Sequence, residues 1–276
     1  MAGGGGRWRE VAGLHDHRGG GVTAPPVVIM QSRHPWGRLE RVLIAVAGAH
    51  GQVARRLVRQ LVAGGDEVVG LVRNPDHVAD VEADGARAAV VDLESAGVEE
   101  VSAALEGATA VVFAAGAGAG SGTGRKDTVD RAAAVLLADA AQAAGAGRYV
   151  LVSSTGVDSV RDGATPEGVD EVFVAYLRAK LAAEEELLGR AARGAFELAV
   201  LRPGALTDSP GTGRVSLERS LPRGEVSRDD VAAVLAALLR ATDLPAGEEG
   251  LVLELVGGDE PVDAAVSRNL VPAPAA

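Results

Sequence analysis

Seven apolar runs, each bounded by turn residues and separated by stretches of helical period, organise the chain from residue 41 to about residue 270. They fall at 42–46, 67–72, 86–91, 110–114, 149–153, 197–201 and 251–255. Between them, Leu57, Val58 and Leu61 share one helical face, and Ala132, Val135 and Leu136 share another within 127–144. Leu177, Leu181, Leu187 and Leu188 lie within a helical stretch at 170–190, and Val231, Leu235 and Leu238 within one at 228–240. Short strands that are apolar on both faces and alternate with helices predict an α/β fold, a doubly wound parallel sheet with helices on both faces. In such a sheet the crossovers are right-handed and ligands gather at the carboxyl ends of the strands.

The first run leads into a glycine turn, Val-Leu-Ile-Ala-Val-Ala-Gly-Ala-His-Gly-Gln-Val-Ala over 42–54. Gly48 ends the strand, Gly51 opens a helix, and Ala54 stands where a third glycine is common. This places unpaired backbone N–H groups and the positive end of a helix where a pyrophosphate can sit. A chain with 37 glycines produces such a spacing by chance. Its position directly after the first strand of an alternating α/β pattern gives it the context a dinucleotide site requires.

The other strand ends carry the chemistry. Arg73 ends the second strand, where NAD sites present an acidic residue to the ribose 2′-hydroxyl. A cation there can pair with a 2′-phosphate and so favours NADP(H) over NAD(H), the alternative being an ordinary solvated arginine. Asp92, followed by Leu93, either accepts from the adenine or caps the next helix. Ala114, Ala115 and Gly116 are small enough to let a ribose or nicotinamide approach the backbone. The glycine-rich stretch 116–124 that follows is either a lid or a linker. Ser153, Ser154 and Thr155 end the fifth strand, and Tyr176 and Lys180 share a face of the following helix at i and i+4. A neighbouring ammonium favours the phenolate, bringing a phenol of pKa about 10 toward useful acid–base strength.

Composition sets the limits. The 276 residues suit one domain, expected over 41–270 with a small C-terminal substrate-side region. Residues 1–40, with glycine runs at 3–6 and 19–21 and prolines at 25, 26 and 35, read as a disordered extension, or as an over-extended start given Met30. His15 and His17 within it read as solvated side chains rather than a metal pair, and 271–276 as a tail. Apolar residues make up 47% but aromatics only 3%, so Ala, Val and Leu must build the core. A net charge of −11 disfavours nucleic acid, and the absence of cysteine excludes disulfides and thiolate chemistry. No apolar run approaches the roughly 18 residues of a membrane span. A soluble cytoplasmic protein is expected, monomer or homodimer, with the alanine-rich face of 131–144 packing on a second subunit or on the sheet alone.

Together these residues resemble the short-chain dehydrogenase/reductase superfamily. They are most similar to its atypical NAD(P)H-binding branch, near bacterial proteins described as sugar epimerases. The resemblance covers about 41–270 and rests on V-A-G-A-H-G-Q-V-A, L-V-R-N-P, V-V-D-L, V-F-A-A-G, V-D-R-A-A-A, Y-V-L-V-S-S-T-G-V, Y-L-R-A-K, L-R-P-G-A-L-T-D and V-S-R-D-D-V-A. It implies a Rossmann-like fold. Cofactor contacts are expected from Gly48, His50, Gly51, Gln52, Val53, Arg73, Asp92, Leu93, Ala114, Ala115, Gly116, Ser153, Tyr176 and Lys180. The turn at Pro203 and Gly204 is expected to border the nicotinamide. The resemblance further implies Tyr176 as general acid/base, Lys180 lowering its pKa and holding the nicotinamide ribose, and Ser154 or Thr155 positioning the reacting oxygen. Arg228 and Asp229 lie near the cleft or cap their helix.

Four departures stand out: Ala54 for the third glycine, His50 where threonine is common, Asp130 in the helix that carries the superfamily's asparagine, and a long separation between Ser154 and Tyr176. The implied activity is an NADP-dependent oxidoreductase or epimerase. Two other readings are a non-catalytic NADP(H)-binding redox sensor and a flavin- or quinone-type reductase without a catalytic tyrosine. About twenty residues between Leu206 and Ser227 leave little room for a nucleotide-sugar and point to a small substrate.

Overall fold

The structure, a computed structural model, describes residues 42–118, 120–244 and 250–270. The extension expected over 1–40, with His15 and His17, and the tail at 271–276 lie outside the described residues.

All seven expected strands form. They are β1 (Leu43–Ala47), β2 (Glu67–Val72), β3 (Arg87–Val90), β4 (Ala110–Phe113), β5 (Arg148–Val152), β6 (Glu197–Pro203) and β10 (Leu251–Gly257). They lie parallel in the order β3-β2-β1-β4-β5-β6-β10. The order reverses direction at β1, where Ala47 pairs with Leu71 on one side and Phe113 on the other. That switch point opens a crevice at the carboxyl ends of β1 and β4. The fold is a Rossmann-like doubly wound sheet.

Both sheet faces are covered, as the unbroken apolar runs require. Ile44, Val46, Val112 and Val150 point to the face covered by α1 (Gln52–Ala63), α7 (Arg228–Arg240) and α8 (Val262–Leu270). Ala45, Ala47, Val111, Phe113 and Leu151 point to the other, covered by α3 (Val98–Ala104), α5 (Ala133–Ala144) and α6 (Glu171–Ala192). The alanines of α5 are spent here: Ala133, Ala134, Ala138, Ala140 and Ala141 are all buried in this layer. α2 (Val78–Ala83) packs beside β3, and a single turn, α4 (Thr123–Arg125), precedes α5. No helix among the described residues is long and apolar enough to cross a membrane.

Two features go beyond the expected pattern. The segment between β6 and α7 forms strands: β7 (Ala205–Thr207) pairs with β9 (Glu225–Ser227), and β8 (Arg214–Glu218) joins the main sheet antiparallel to β10. β11 (Glu260–Pro261) extends that edge. β8 alternates buried and partly exposed residues, the pattern of an edge strand with one covered face, and it follows a Ser-Pro-Gly-Thr-Gly stretch that reads as turn. The helix expected from residue 127 instead begins as a π-helical turn over Lys126–Ala132 and becomes regular only at Ala133.

One of the buried charges ties the sheet to a helix end. Arg148 on β5 is fully buried, donates to the Glu197 carboxylate on β6, and donates from Nη1 to the carbonyls of Leu238, Leu239 and Ala241 at 3.0, 3.0 and 2.7 Å. It caps α7 from beneath, completing carbonyls that a helix end leaves unpaired.

Candidate functional site

Gly48 adopts φ +76°, and a Cβ there would fall 2.6 Å from the Ala115 Cα. Both facts demand glycine. The amides of Gly48 and Ala49 donate to the Leu71 carbonyl, which fixes the turn against β2. Gly51 caps α1 without a side chain, and the first turn, opened by Gln52 and Val53, carries no acidic residue. Neither the cap nor the first turn of α1 therefore supplies an anion to its N-terminal amides, which suits a phosphate site. Ala54 is fully buried between α1 and the sheet, so a methyl group fits where a third glycine is common.

A cleft of about 300 Å³ opens over this turn. Of the expected cofactor residues it gathers Gly48, His50, Gly51, Arg73, Asp92, Leu93, Ala114, Ala115 and Gly116. Gln52, Val53, Ser153, Tyr176, Lys180, Pro203 and Gly204 are not among its lining residues. Asp92 Oδ1 accepts from the Glu94 amide at 3.1 Å, so its capping role is to the turn that follows rather than to α3, which Gly97 caps. His50 stacks on His77 with 3.6 Å between ring centroids and shares a hydrogen bond with Asp80 at 2.8 Å. That contact and the nearby Arg55 hold the Asp80 carboxyl below the usual carboxylate range.

Arg73 is not a free cation. Its guanidinium donates to Glu94 at 2.7 Å, and the same carboxylate accepts from Arg125 at 2.6 Å and from the Thr128 hydroxyl at 2.8 Å. The Arg125 hydrogen bond is the main reason the Glu94 carboxyl sits below its ordinary range, outweighing partial burial. Glu94, Arg125 and His77 all line the cleft, and none follows from the glycine motif.

Tyr176, Lys180 and Glu184 succeed one another at four-residue intervals on α6, whose N-terminus is capped by Asp170 accepting from the Phe173 amide. Lys180 is only 3% exposed. Its Nζ donates to the Val152 carbonyl at 2.9 Å and lies 3.4 Å from Asp130 Oδ1. Burial pushes the Lys180 ammonium below its ordinary pKa, against the pull of Asp130.

The lowering expected for the Tyr176 phenol is not found. Burial first, then the negative charge of Asp130, push the phenol up to about 12, and a hydrogen bond with Ser154 opposes them. The ammonium is occupied by Asp130, so little of its charge is left to favour a phenolate.

The separation of Ser154 from Tyr176 in sequence is closed in space. The loop between them winds through a short 3₁₀ segment, Val157–Gly163, that packs on α6, while the Ser154 hydroxyl donates to the Thr155 carbonyl at 3.0 Å and lies near enough to the phenol to oppose its rise. Thr155 is held instead by its amide, which donates to the Pro203 carbonyl at 3.1 Å. Ser153 faces the other way. It is 3% exposed and gives its hydroxyl to Glu184, which is clasped by Arg202, itself bonded to Asp158 at 2.7 Å. Gly204 lies so close to Gly224 that a Cβ would meet its carbonyl, and its amide donates to Leu255 at 2.8 Å.

Capping of α7 falls to Ser227, which accepts from the Asp230 amide at 3.0 Å. Arg228 pairs with Asp208, and Asp229 receives Arg56 and the Gly211 amide, so both fasten the 208–213 segment.

The two halves of the site meet at Asp130. This side chain is fully buried, and its Oδ2 accepts from the Ala117 amide at 3.3 Å. Oδ1 has no hydrogen-bond donor among the described residues, although Lys180 provides an ionic neighbour. Gly116, which lines the cleft, sits directly above: a Cβ there would be 3.1 Å from Oδ1. The uncapped α1 terminus and the glycine cradle at 48 fit the pyrophosphate of a dinucleotide. Sequence reading also passed over Lys126, Glu184 and Arg202. The i, i+4 pairs Lys126/Asp130 and Lys180/Glu184 were the available signal for two of them.

Known proteins agree with this geometry. Over residues 48–242 the chain matches the family described as NAD(P)H-binding. It is 32% identical over 226 residues to an uncharacterised sugar epimerase, YhfK of Bacillus subtilis, covering 82% of this chain and 99% of the relative. A solved structure from Bacillus halodurans, described as an NAD-dependent epimerase/dehydratase, superposes with a TM-score of 0.70 at 30% identity, covering 82% of this chain and 99% of that one. The anaerobilin reductase ChuY of Escherichia coli O157:H7 superposes with a TM-score of 0.64 at 27% identity, covering 79% and 98%. The chain belongs to the NAD(P)H-binding family, whose members resemble the epimerases and reductases of the atypical short-chain dehydrogenase group.

Proposed function

We propose that the protein is an NADP(H)-dependent oxidoreductase that reduces a small substrate, with Tyr176 as its proton donor. The observation that carries this reading is the placement of Tyr176 one helical turn before Lys180, whose ammonium reaches through Asp130 to the floor of the cleft at Gly116.

The cofactor, when bound, supplies hydride. The chain's residues do the rest. The amides at the start of α1 hold the pyrophosphate, and Arg73, released from Glu94, meets the 2′-phosphate. Lys180 and the open oxygen of Asp130 hold the ribose hydroxyls nearest the reacting carbon. Ser154 donates to the substrate oxygen and orients it. Tyr176 gives its proton to that oxygen as charge develops there. The segment between β6 and α7 is largely consumed by β7, β8 and β9, leaving little to enclose a sugar nucleotide.

The test is Tyr176→Phe, assayed for NADPH oxidation across a panel of carbonyl compounds and quinones. Substrate-dependent turnover is expected to fall by roughly 10²-fold or more while NADPH affinity is kept. Undiminished turnover of every accepted compound rejects the tyrosine mechanism and leaves a ring-alignment reductase. Tight NADPH binding with no turnover of any compound by the wild type leaves the redox sensor.

A further inference from the structure

Four cationic side chains are buried among the described residues: Lys126, Arg148, Lys180 and Arg202. Three face a carboxylate. Arg148 has Glu197, Lys180 has Asp130, and Arg202 has Glu184 and Asp158. Lys126 has none within ion-pair distance among the described residues. Its ammonium donates to the Gly118 carbonyl at 2.9 Å, and the residue is only 7% exposed. A buried charge without a counter-charge costs free energy that ordinary folding gives no reason to retain.

Its location supplies a reason. Lys126 opens the π-helical turn Lys126–Ala132, a geometry frequent at functional sites, and its Nζ lies 5.5 Å from the centroid of the Tyr176 ring. Asp130, four residues on, is turned toward Lys180 and the Ala117 amide instead. On the solvent side of Tyr176, Phe173 is 48% exposed with its ring 5.6 Å from the phenol ring. A cation without a carboxylate counter-charge among the described residues and an uncovered aromatic face thus flank one tyrosine. The chain as a whole carries a charge of −11, so a local cation is what would distinguish an anionic ligand from a neutral one.

We propose that Lys126 binds a carboxylate carried by the substrate, and that the substrate is an aromatic or otherwise planar carboxylic acid resting on Phe173. This rests on the reading of Tyr176 as the centre of the substrate site, and it adds the chemical class of what enters. Lys126 is the anion-binding residue, and Lys180, neutralised by Asp130, is left to the cofactor.

The experiment measures equilibrium binding by calorimetry in the presence of saturating NADP⁺, using phenylglyoxylate and phenylpyruvate beside their methyl esters. Wild-type protein is expected to bind the acids about tenfold more tightly than the esters, the size of one charge-assisted contact. Lys126→Met is expected to remove that preference while leaving NADP⁺ affinity unchanged, which shows the variant is folded, and Lys126→Arg to restore much of it. Acids that bind no better than esters, acids that do not bind, or a preference that survives in Lys126→Met each overturn the proposal. Lys126-dependent acid binding without turnover upholds it and rejects the oxidoreductase reading. Turnover that depends on Tyr176 but is indifferent to the acid group does the opposite.

Discussion

Lys180 Nζ lies 3.4 Å from Asp130 Oδ1, and both side chains are almost wholly withdrawn from water. The lysine that would be expected to activate Tyr176 is thereby neutralised by an acid on a neighbouring helix. Asp130 is also one of the two causes that raise the phenol. Asp130→Asn is expected to move the Tyr176 titration downward, followed by tyrosinate absorbance in the ultraviolet. An unchanged or raised titration would show that the carboxylate does not act on the phenol.

The chain has two tyrosines, and both are raised. Tyr149 is fully buried with its hydroxyl donating to the Ala134 carbonyl at 2.9 Å, and burial is the main cause of its shift. The unfolded chain ionises its phenols near 10, whereas folded Tyr176 does so at about 12. Below about 10 both states keep the proton and this group leaves stability independent of pH. Between 10 and 12 only the unfolded state loses it, so stability falls as pH rises. Urea unfolding at a series of alkaline pH values should show this decline, with a shallower slope in Tyr176→Phe. Equal slopes would contradict the raised phenol.

Glu94 occupies the Arg73 guanidinium, which the proposed function assigns to a 2′-phosphate. Arg73→Ala is expected to weaken NADP⁺ binding by about tenfold or more with little effect on NAD⁺. Glu94→Gln should do the reverse, tightening NADP⁺ a few-fold, since exposed ion pairs of this kind are individually weak. Fluorescence titration with both nucleotides measures each change. Equal losses of NADP⁺ and NAD⁺ in Arg73→Ala would remove the 2′-phosphate role.

Gly48→Ala combines a left-handed backbone, worth about 1–2 kcal/mol against an L-residue, with a methyl group driven into Ala115. Loss of stability by at least that amount is expected in urea melts, together with loss of binding of both nucleotides. A variant of wild-type stability that still binds would show that the turn readily rearranges.

The parallel strands were legible because burial on both faces leaves an unmistakable signature: Ile44 and Ala45 face opposite layers, yet both must be apolar. β8 escaped for the opposite reason. Val215 and Leu217 point inward between exposed neighbours, and five residues of alternation after a proline–glycine turn carry little signal. In the site, Gly48 and the Tyr176–Lys180 pair were visible because their spacing lies within one element. Glu94 was not, since Arg73, Arg125 and Thr128 reach it from separate segments of the chain. The rise of the Tyr176 phenol was equally hidden: it depends on how deeply the ring lies and on an aspartate 46 positions earlier in the chain.

Arg148 gives the architecture a different kind of dependence. The last carbonyls of α7 are completed by a side chain rising from the middle of the sheet, 90 to 93 residues earlier in the chain. A nascent chain ending before α7 would hold that guanidinium in an apolar layer with its carbonyl partners still unmade. An early strand and a late helix therefore share one interior bond set, and neither end of it is satisfied without the other.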